Sequence, residues 1–365
     1  MSATYTLGQI KTLSFSRYLR LKRCMLSGAA LAWSTSAGVP RPPLQRSQVL
    51  GQMFHSIMAT LNTSLSGLAA TKADFRRCFN TVLGQLAGAL QASPSSRFLG
   101  NPEVWPEVAT LYRTLSAWFD ARHVGRASVR ARAERTLRSS DGLLWGRPDA
   151  YFLHASGIDL VDYKSGALLE AQAPRPAHVD QLYFYAHLLH EVYGSYPRSL
   201  ALVGSDGLVV EVDPAPTRSA DIAADMRATL AAYNARVLAH ECCGSVASPS
   251  EEACLFCEMK PVCEAFWQTA PSMSLPAWAH VATGRQVGPA LRTRMGGVRL
   301  DVAVERSSLR AERLTVTRLF EGRYPSLNVD AAGQPLVMTG LRVVEAGDPA
   351  IVEVTEHSVV AGGTA

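Results

Sequence analysis

The chain has 365 residues, 47% of them hydrophobic and 18% charged, which supplies one large core and a smaller one and excludes a disordered tail. Its formal charge of +5 is compatible with an anionic partner but too modest to indicate one. No apolar run reaches the length of a bilayer span, and the opening stretch MSATYTLGQIKTLSFSRYLRLKRC lacks the basic-then-apolar order of a secretory signal, so the chain reads as cytosolic with no membrane role.

In chain order the pattern starts helical. Apolar residues recur at helical spacing in SQVLGQMFHSIMATL and over residues 73–91 and 105–120. An extended region follows: SVRARAERTLR alternates in the manner of a strand, SSDG punctuates it, and two further strands are predicted over Leu143 to Phe152 and Ile158 to Tyr163. VDQLYFYAHLLHEVY then predicts an amphipathic helix, RSLALVG and GLVVEV strands, and RSADIAADMRATLAAYNARVLAH a long helix. Strand, helix and strand in this succession predict an α/β core with an N-terminal helical region.

QTAPSMSLP reads as a linker, after which VRLDVAV, RLTVTRL and AIVEVTE alternate between turn signals with little helix. Two units are expected: residues 1–270, and a small β domain over 277–365 serving recognition or partner binding. A compact barrel of the oligonucleotide-binding type is one way to close the second. There is no internal repeat, and no G-x-x-x-x-G-K-[ST] loop to mark an ATP motor.

Chemistry concentrates in GRPDAYFLHASGIDLVDYKSG. Side chains two apart on a strand share a face, so Asp162 and Lys164 project together, and a hairpin would bring Asp149 beside them. Two acids and an amine on one face point to metal-assisted hydrolysis. Elsewhere lysine occurs only at positions 11, 22, 72 and 260, which makes Lys164 more telling. Arg126, Arg130, Arg132, Arg135 and Arg138 precede this region; they would either guide a phosphate backbone or form a solvated basic face.

The seven cysteines argue, in a reducing compartment, for metal ligation over disulfides. Cys254, Cys257 and Cys263 in CLFCEMKPVC are spaced C-x2-C-x5-C, one ligand short of a tetrahedral or cubane site. Cys24, Cys78, Cys242 and Cys243 are the candidates to complete it. A triplet plus a remote single fits a [4Fe-4S] cluster better than the paired knuckles of zinc; Zn2+, completed by Cys243, is the alternative.

Together these residues resemble the RecB-type branch of the PD-(D/E)XK nuclease superfamily, in particular its iron-sulfur members related to AddB nuclease domains and CRISPR-adaptation nucleases. The resemblance runs from about residue 13 to 267 through SFSRYLRLKRC, GQMFH, GRPDA, LVDYKSG, QLYFY and the cysteine triplet, in the family's order. It implies a restriction-endonuclease-like core, a central mixed sheet flanked by helices. It also implies that His55 is a metal-binding histidine, Asp149 the first acid, Asp162 and Lys164 the (D/E)-x-K pair, Gln181 and Tyr185 the Q-x-x-x-Y motif of the following helix, and Cys24 the first cluster ligand.

The implied activity is Mg2+- or Mn2+-dependent hydrolysis of DNA, of single strands or DNA ends, in repair, recombination or antiphage defence, with a helicase or other partner presenting the strand. A hard divalent cation prefers carboxylate oxygens, offsets the charge of the phosphodiester and lowers the pKa of water; Asp149, Asp162, the Tyr163 carbonyl and His55 would hold it. The alternative is a silent nucleic-acid-binding or structural subunit of a larger complex.

Overall fold

A computed structural model describes residues 7–30, 44–64, 71–93, 96, 99–122, 131–239, 244–294, 296–320, 323–324 and 327–362. Arg126, Arg130, Cys242 and Cys243 lie outside them. The chain enters through helices α1 (Phe15–Arg23) and α2 (Met25–Ala30), separated at Cys24, whose extended backbone interrupts the helical hydrogen bonds. Three longer helices follow: α3 (Arg46–Ser64), α4 (Lys72–Ala92) and α5 (Pro106–Arg122). Thr71 and Asp74 form a reciprocal capping box at the start of α4, satisfying amide donors that the first turn leaves open.

The next segment holds β1 (Ala131–Ala133), β2 (Leu137–Arg138), β3 (Trp145–Gly146), β4 (Ala150–His154), β5 (Gly157–Lys164), β6 (Leu169–Glu170) and β7 (Ala173–Pro174). Helix α6 (Pro176–Tyr193), strands β8 (Ser199–Gly204) and β9 (Val209–Val212), and helix α7 (Pro216–Leu238) complete the core. Its mixed sheet has the order β1-β4-β5-β8-β9, with β5 and β8 parallel and the other pairs antiparallel. A parallel pair needs a crossover, and α6 provides it.

Alternation along β5 assigns its two faces. Ile158 and Leu160 join Leu200 and Leu202 in the core beneath α6 and α7, whereas Val161 and Tyr163 pack with Phe54, Phe75 and Phe119 of α3, α4 and α5. By the same parity Asp162 and Lys164 face α6.

Helices α8 (Glu251–Leu255) and α9 (Glu264–Thr269) lead into β10 (His280–Gln286), β11 (Leu291–Arg292), β12 (Val298–Ser307), β13 (Arg313–Leu319), β14 (Pro335–Glu345) and β15 (Ala350–Gly362). The sheet order is β10-β14-β15-β13-β12-β11, and β10 also pairs with β12, so that five strands close into a barrel. Only β13 and β15 run parallel. Leu300, Val316, Met338 and Val352 fill a separate core. Strand β10 serves both units: Val281 packs in the core beneath α6, and Ala282 in the barrel. Arg306 of β12 bonds both oxygens of Glu264 at 2.9 Å and lies 5.0 Å over the Trp267 ring.

Two predicted strands are broken in the structure. The run over 143–152 divides into β3 and β4 at Arg147, Pro148 and Asp149, where proline offers no amide to a ladder. The run over 128–138 breaks at Glu134, whose φ is +54°, so Arg132 and Arg138 sit on different strands and share no continuous face. The predicted linker begins inside α9 and continues through a short 3-10 turn at Ala270–Ser272. No helix among the described residues is long and apolar enough to cross a membrane.

A cluster of charges ties the β2–β3 turn to the helices. Arg227 of α7 donates to Asp141 at 2.6 Å and to Glu191 of α6 at 3.0 Å, and the Ser140 amide donates to Glu191 at 2.5 Å. Burial opposes ionisation of both carboxyls, but Ser139 and Arg227 at Asp141, and Ser140 and Arg227 at Glu191, outweigh it and hold each pKa at about 2. Because these folded-state values are depressed, the stabilisation is complete above the unfolded carboxylate range and is lost as pH falls toward 2. Arg227→Ala should cost about 2 kcal/mol at pH 7 and flatten the acid limb of stability, measured by urea unfolding at pH 7 and pH 3.

Candidate active site

The β4–β5 hairpin sets the geometry. Its register pairs Ala150 with Val161, so Asp149, one residue before β4, comes beside Asp162. The Tyr163 amide donates to Asp149 Oδ2 at 2.7 Å, and the Tyr163 ring is fixed on the opposite face, where Asn62 of α3 donates to its hydroxyl at 2.9 Å. A short strand break and one backbone hydrogen bond therefore aim the Asp149 carboxylate.

Helix α3 brings His55, whose Nδ1 lies 3.1 Å from Asp149 Oδ1. Burial opposes protonation of this imidazole, but the Asp149 hydrogen bond and the charges of Asp149 and Asp162 outweigh it and raise its pKa. Gly51, one turn earlier on α3, permits the close approach: a Cβ there would lie 2.8 Å from the Ser165 hydroxyl, just after Lys164.

Asp162 is 2% exposed and its Oδ2 lies 2.5 Å from Lys164 Nζ. Burial pushes its carboxyl above the usual range, Lys164 pulls it back, and Asp149 pushes it further up. Lys164 also donates to Gln181 Oε1 at 2.6 Å, and the Gln181 amide donates to the Tyr185 hydroxyl at 3.0 Å. Gln181 and Tyr185 stand one turn apart on α6, so a chain of hydrogen bonds anchored in that helix holds the ammonium in place. Gly146 accommodates this anchor, since a Cβ at that position would lie 2.7 Å from the Tyr185 ring.

The structure adds Glu134, which the sequence reading missed. Its positive φ turns it toward the site: its amide donates to the Asp149 carbonyl at 3.2 Å, and ligand atoms of His55, Glu134 and Asp149 lie within 4.8 Å of one another. Burial raises its pKa against the pull of Arg147, its ion-pair partner, and Asp149 raises it further. The one available signal was an acid standing alone in the arginine-rich SVRARAERTLR. Carboxylates crowded on a partly buried face, beside an imidazole, are a donor set suited to a divalent cation.

The cysteines occupy a second place. Cys24, Cys254, Cys257 and Cys263 line one cavity together with Lys260 and Phe266. Burial pushes the thiols of Cys254, Cys257 and Cys263 up, the last to about 11. Amides of Ser248 and Phe266 donate to the sulfurs of Cys24 at 3.3 Å and Cys263 at 3.4 Å. No three of these sulfurs lie within 4.8 Å of one another. Cys78 is elsewhere, on α4 with its sulfur 3.8 Å from the Ile57 carbonyl, packed in the other core.

The mixed sheet thus presents two acids and a lysine at the end of its central strand. Residues 12–264 match the family model of the PD-(D/E)XK nuclease superfamily, and the chain belongs to that superfamily. No curated protein matches it. Among solved structures, one described as a "putative exonuclease" from Eubacterium rectale is 10% identical over 62% of this chain and 81% of that one, with a TM-score of 0.39. A murine DNA binding protein bound with double-stranded DNA is 12% identical over 64% of this chain and 93% of that one, with a TM-score of 0.16. Both likenesses are too remote to bear on function.

If Glu134 faces the cation, Glu134→Gln should weaken Mn2+ binding about tenfold in calorimetric titration of the full chain. An unchanged affinity would remove Glu134 from the site.

Proposed function

We propose that this chain is a RecB-type nuclease that hydrolyses DNA, acting on single strands or DNA ends, and that the observation carrying this reading is the continuous set His55, Asp149, Asp162, Lys164, Gln181 and Tyr185 at one end of β5. A divalent cation held by Asp149, Asp162, His55 and Glu134 would offset phosphate charge and lower the pKa of water. Lys164 orients the attacking water and stabilises charge growing on the pentacoordinate phosphorus. Gln181, itself fixed by Tyr185, shares the ammonium with Asp162 and so sets its orientation. The water gives up a proton as its oxygen bonds to phosphorus, the bond to the leaving oxygen breaks, and that oxygen takes up a proton from solvent in exchange, with no covalent enzyme intermediate.

The four cavity-lining cysteines support a [4Fe-4S] cluster as the second cofactor. A tetrahedral zinc ion with bonds of about 2.3 Å would need its sulfurs roughly 3.8 Å apart. The sequence arrangement, a triplet plus a remote single, favours the larger cluster over such a site. Such a cluster would tie α1 to the segment before β10, linking folding to assembly. The repair, recombination or defence setting, and a helicase that presents the strand, belong to the same proposal.

End-labelled single-stranded and duplex DNA incubated with anaerobically purified protein tests the reading. Cleavage is expected with Mg2+ or Mn2+ and not with chelator, and Lys164→Ala should lower the rate at least a hundredfold while leaving DNA binding intact. Binding without cleavage under every metal would replace the nuclease by a silent DNA-binding subunit. For the cluster, Cys24→Ser should abolish bound iron and the visible absorbance of the purified chain; retention of both would assign the fourth ligand elsewhere.

A further inference from the structure

A cleft of about 350 Å³ lies between the cysteine-bearing loop and the barrel, within the size range of small-molecule sites. Arg20, Gln48, Phe256, Trp278 and Thr339 are among the residues lining it. The nuclease chemistry above uses none of them.

Phe256 is 73% exposed, although burial of such a side chain normally stabilises a fold. Its backbone is fixed: it is the C-cap of α8, with its amide bonded to the Cys254 carbonyl, and the next residue, Cys257, also donates to that carbonyl at 3.2 Å. The ring is thus held outward by a rigid turn. The half-buried Trp278 lies beside it, with centroids 5.6 Å apart and planes inclined at 33°. Two aromatic faces at the mouth of a cleft form a platform on which a planar base can stack, and stacking of this kind tolerates any base.

The cleft meets the helix that carries His55, since Gln48 of α3 lines it. Gln48 and His55 are seven residues apart on α3, so they share a face about 10 Å apart along the axis. Arg20 supplies a cation of the right sign for the strand. Its side chain is 40% exposed and its guanidinium is held at 3.3 Å by Glu258, a partner that a phosphate can replace. The barrel wall opens at Gly340 of β14, which has φ +69° and lies where the β14–β15 register shifts.

We propose that this cleft is a subsite for an unpaired base of single-stranded DNA, stacked on Phe256 and Trp278 with Arg20 near its phosphate, and that it feeds the strand along α3 toward His55. Because a base inside a duplex has its faces covered, the subsite selects single strands. The inference deepens the nuclease reading and rests on it for the direction of the strand.

Fluorescence anisotropy of labelled single-stranded and duplex oligonucleotides, with the full chain in chelator so that nothing is cut, tests it. Phe256→Ala should raise the single-strand Kd about tenfold or more and leave the duplex Kd unchanged, whereas Phe256→Trp should preserve both. An abasic nucleotide moved along the strand should weaken wild-type binding at one position, and that penalty should vanish in Phe256→Ala. The exposed site makes a folding defect easy to exclude by equal melting temperatures and equal metal content. An unchanged single-strand Kd, an equal loss for duplex, or an abasic penalty independent of Phe256 would overturn the subsite. Stacking present in a chain that never cuts would leave the subsite standing and refute the nuclease.

Discussion

A carboxylate that is 2% exposed, 2.5 Å from a lysine and next to a second acid is the constraint around which the core is arranged. Removing Asp162 from water disfavours its charge, and Asp149 adds to the cost. Positive charge at the site offsets that cost, and Lys164 supplies it. Lys164 in turn donates to Gln181, and Gln181 to Tyr185, so that α6 acts as a brace for a strand end. On the opposite face Tyr163 and Asn62 fix the backbone whose amide orients Asp149. The two cores flanking the sheet therefore meet functionally at three consecutive residues, 162 to 164.

Much of this was legible because it is local. Parity along a strand placed Asp162 and Lys164 together, and a two-strand turn brought Asp149 to them, whereas Gln181 and Tyr185, four apart on a helix, came only from the resemblance to a family. His55 was another matter: nothing within its own segment points to the site, and only resemblance to a family linked it there; at the separate cysteine cavity, the same resemblance singled out Cys24 from four candidates. Glu134 escaped because the alternation of SVRARAERTLR implied a regular strand, whereas a single residue with positive φ ends that strand and redirects the carboxylate. Pro148 had a similar effect on the following strand. The Pro148 break was open to a local reading, since proline cannot donate to a ladder; the positive φ of Glu134 has no such signal in its residue type.

The C-terminal sheet illustrates the same limit. Its strands were readable by alternation, but closure requires β10 to pair with both β12 and β14, a choice no local pattern encodes. That closure makes the cleft beside Phe256, since one wall comes from the cysteine-bearing turn and the other from β14. Val281 and the Arg306 contacts with Glu264 and Trp267 hold the two walls together. A device for binding a strand would thus arise from the joint between two units, each with its own core.

The account stands or falls on whether the acids of the hairpin bring a divalent cation to the scissile phosphate. Replacing one non-bridging oxygen of that phosphate with sulfur tests this directly, because hard Mg2+ binds sulfur poorly and the softer Mn2+ accepts it. The account predicts that one phosphorothioate diastereomer is cut slowly in Mg2+ and regains its rate in Mn2+. Equal cleavage of both diastereomers in Mg2+, or no recovery in Mn2+, would contradict it.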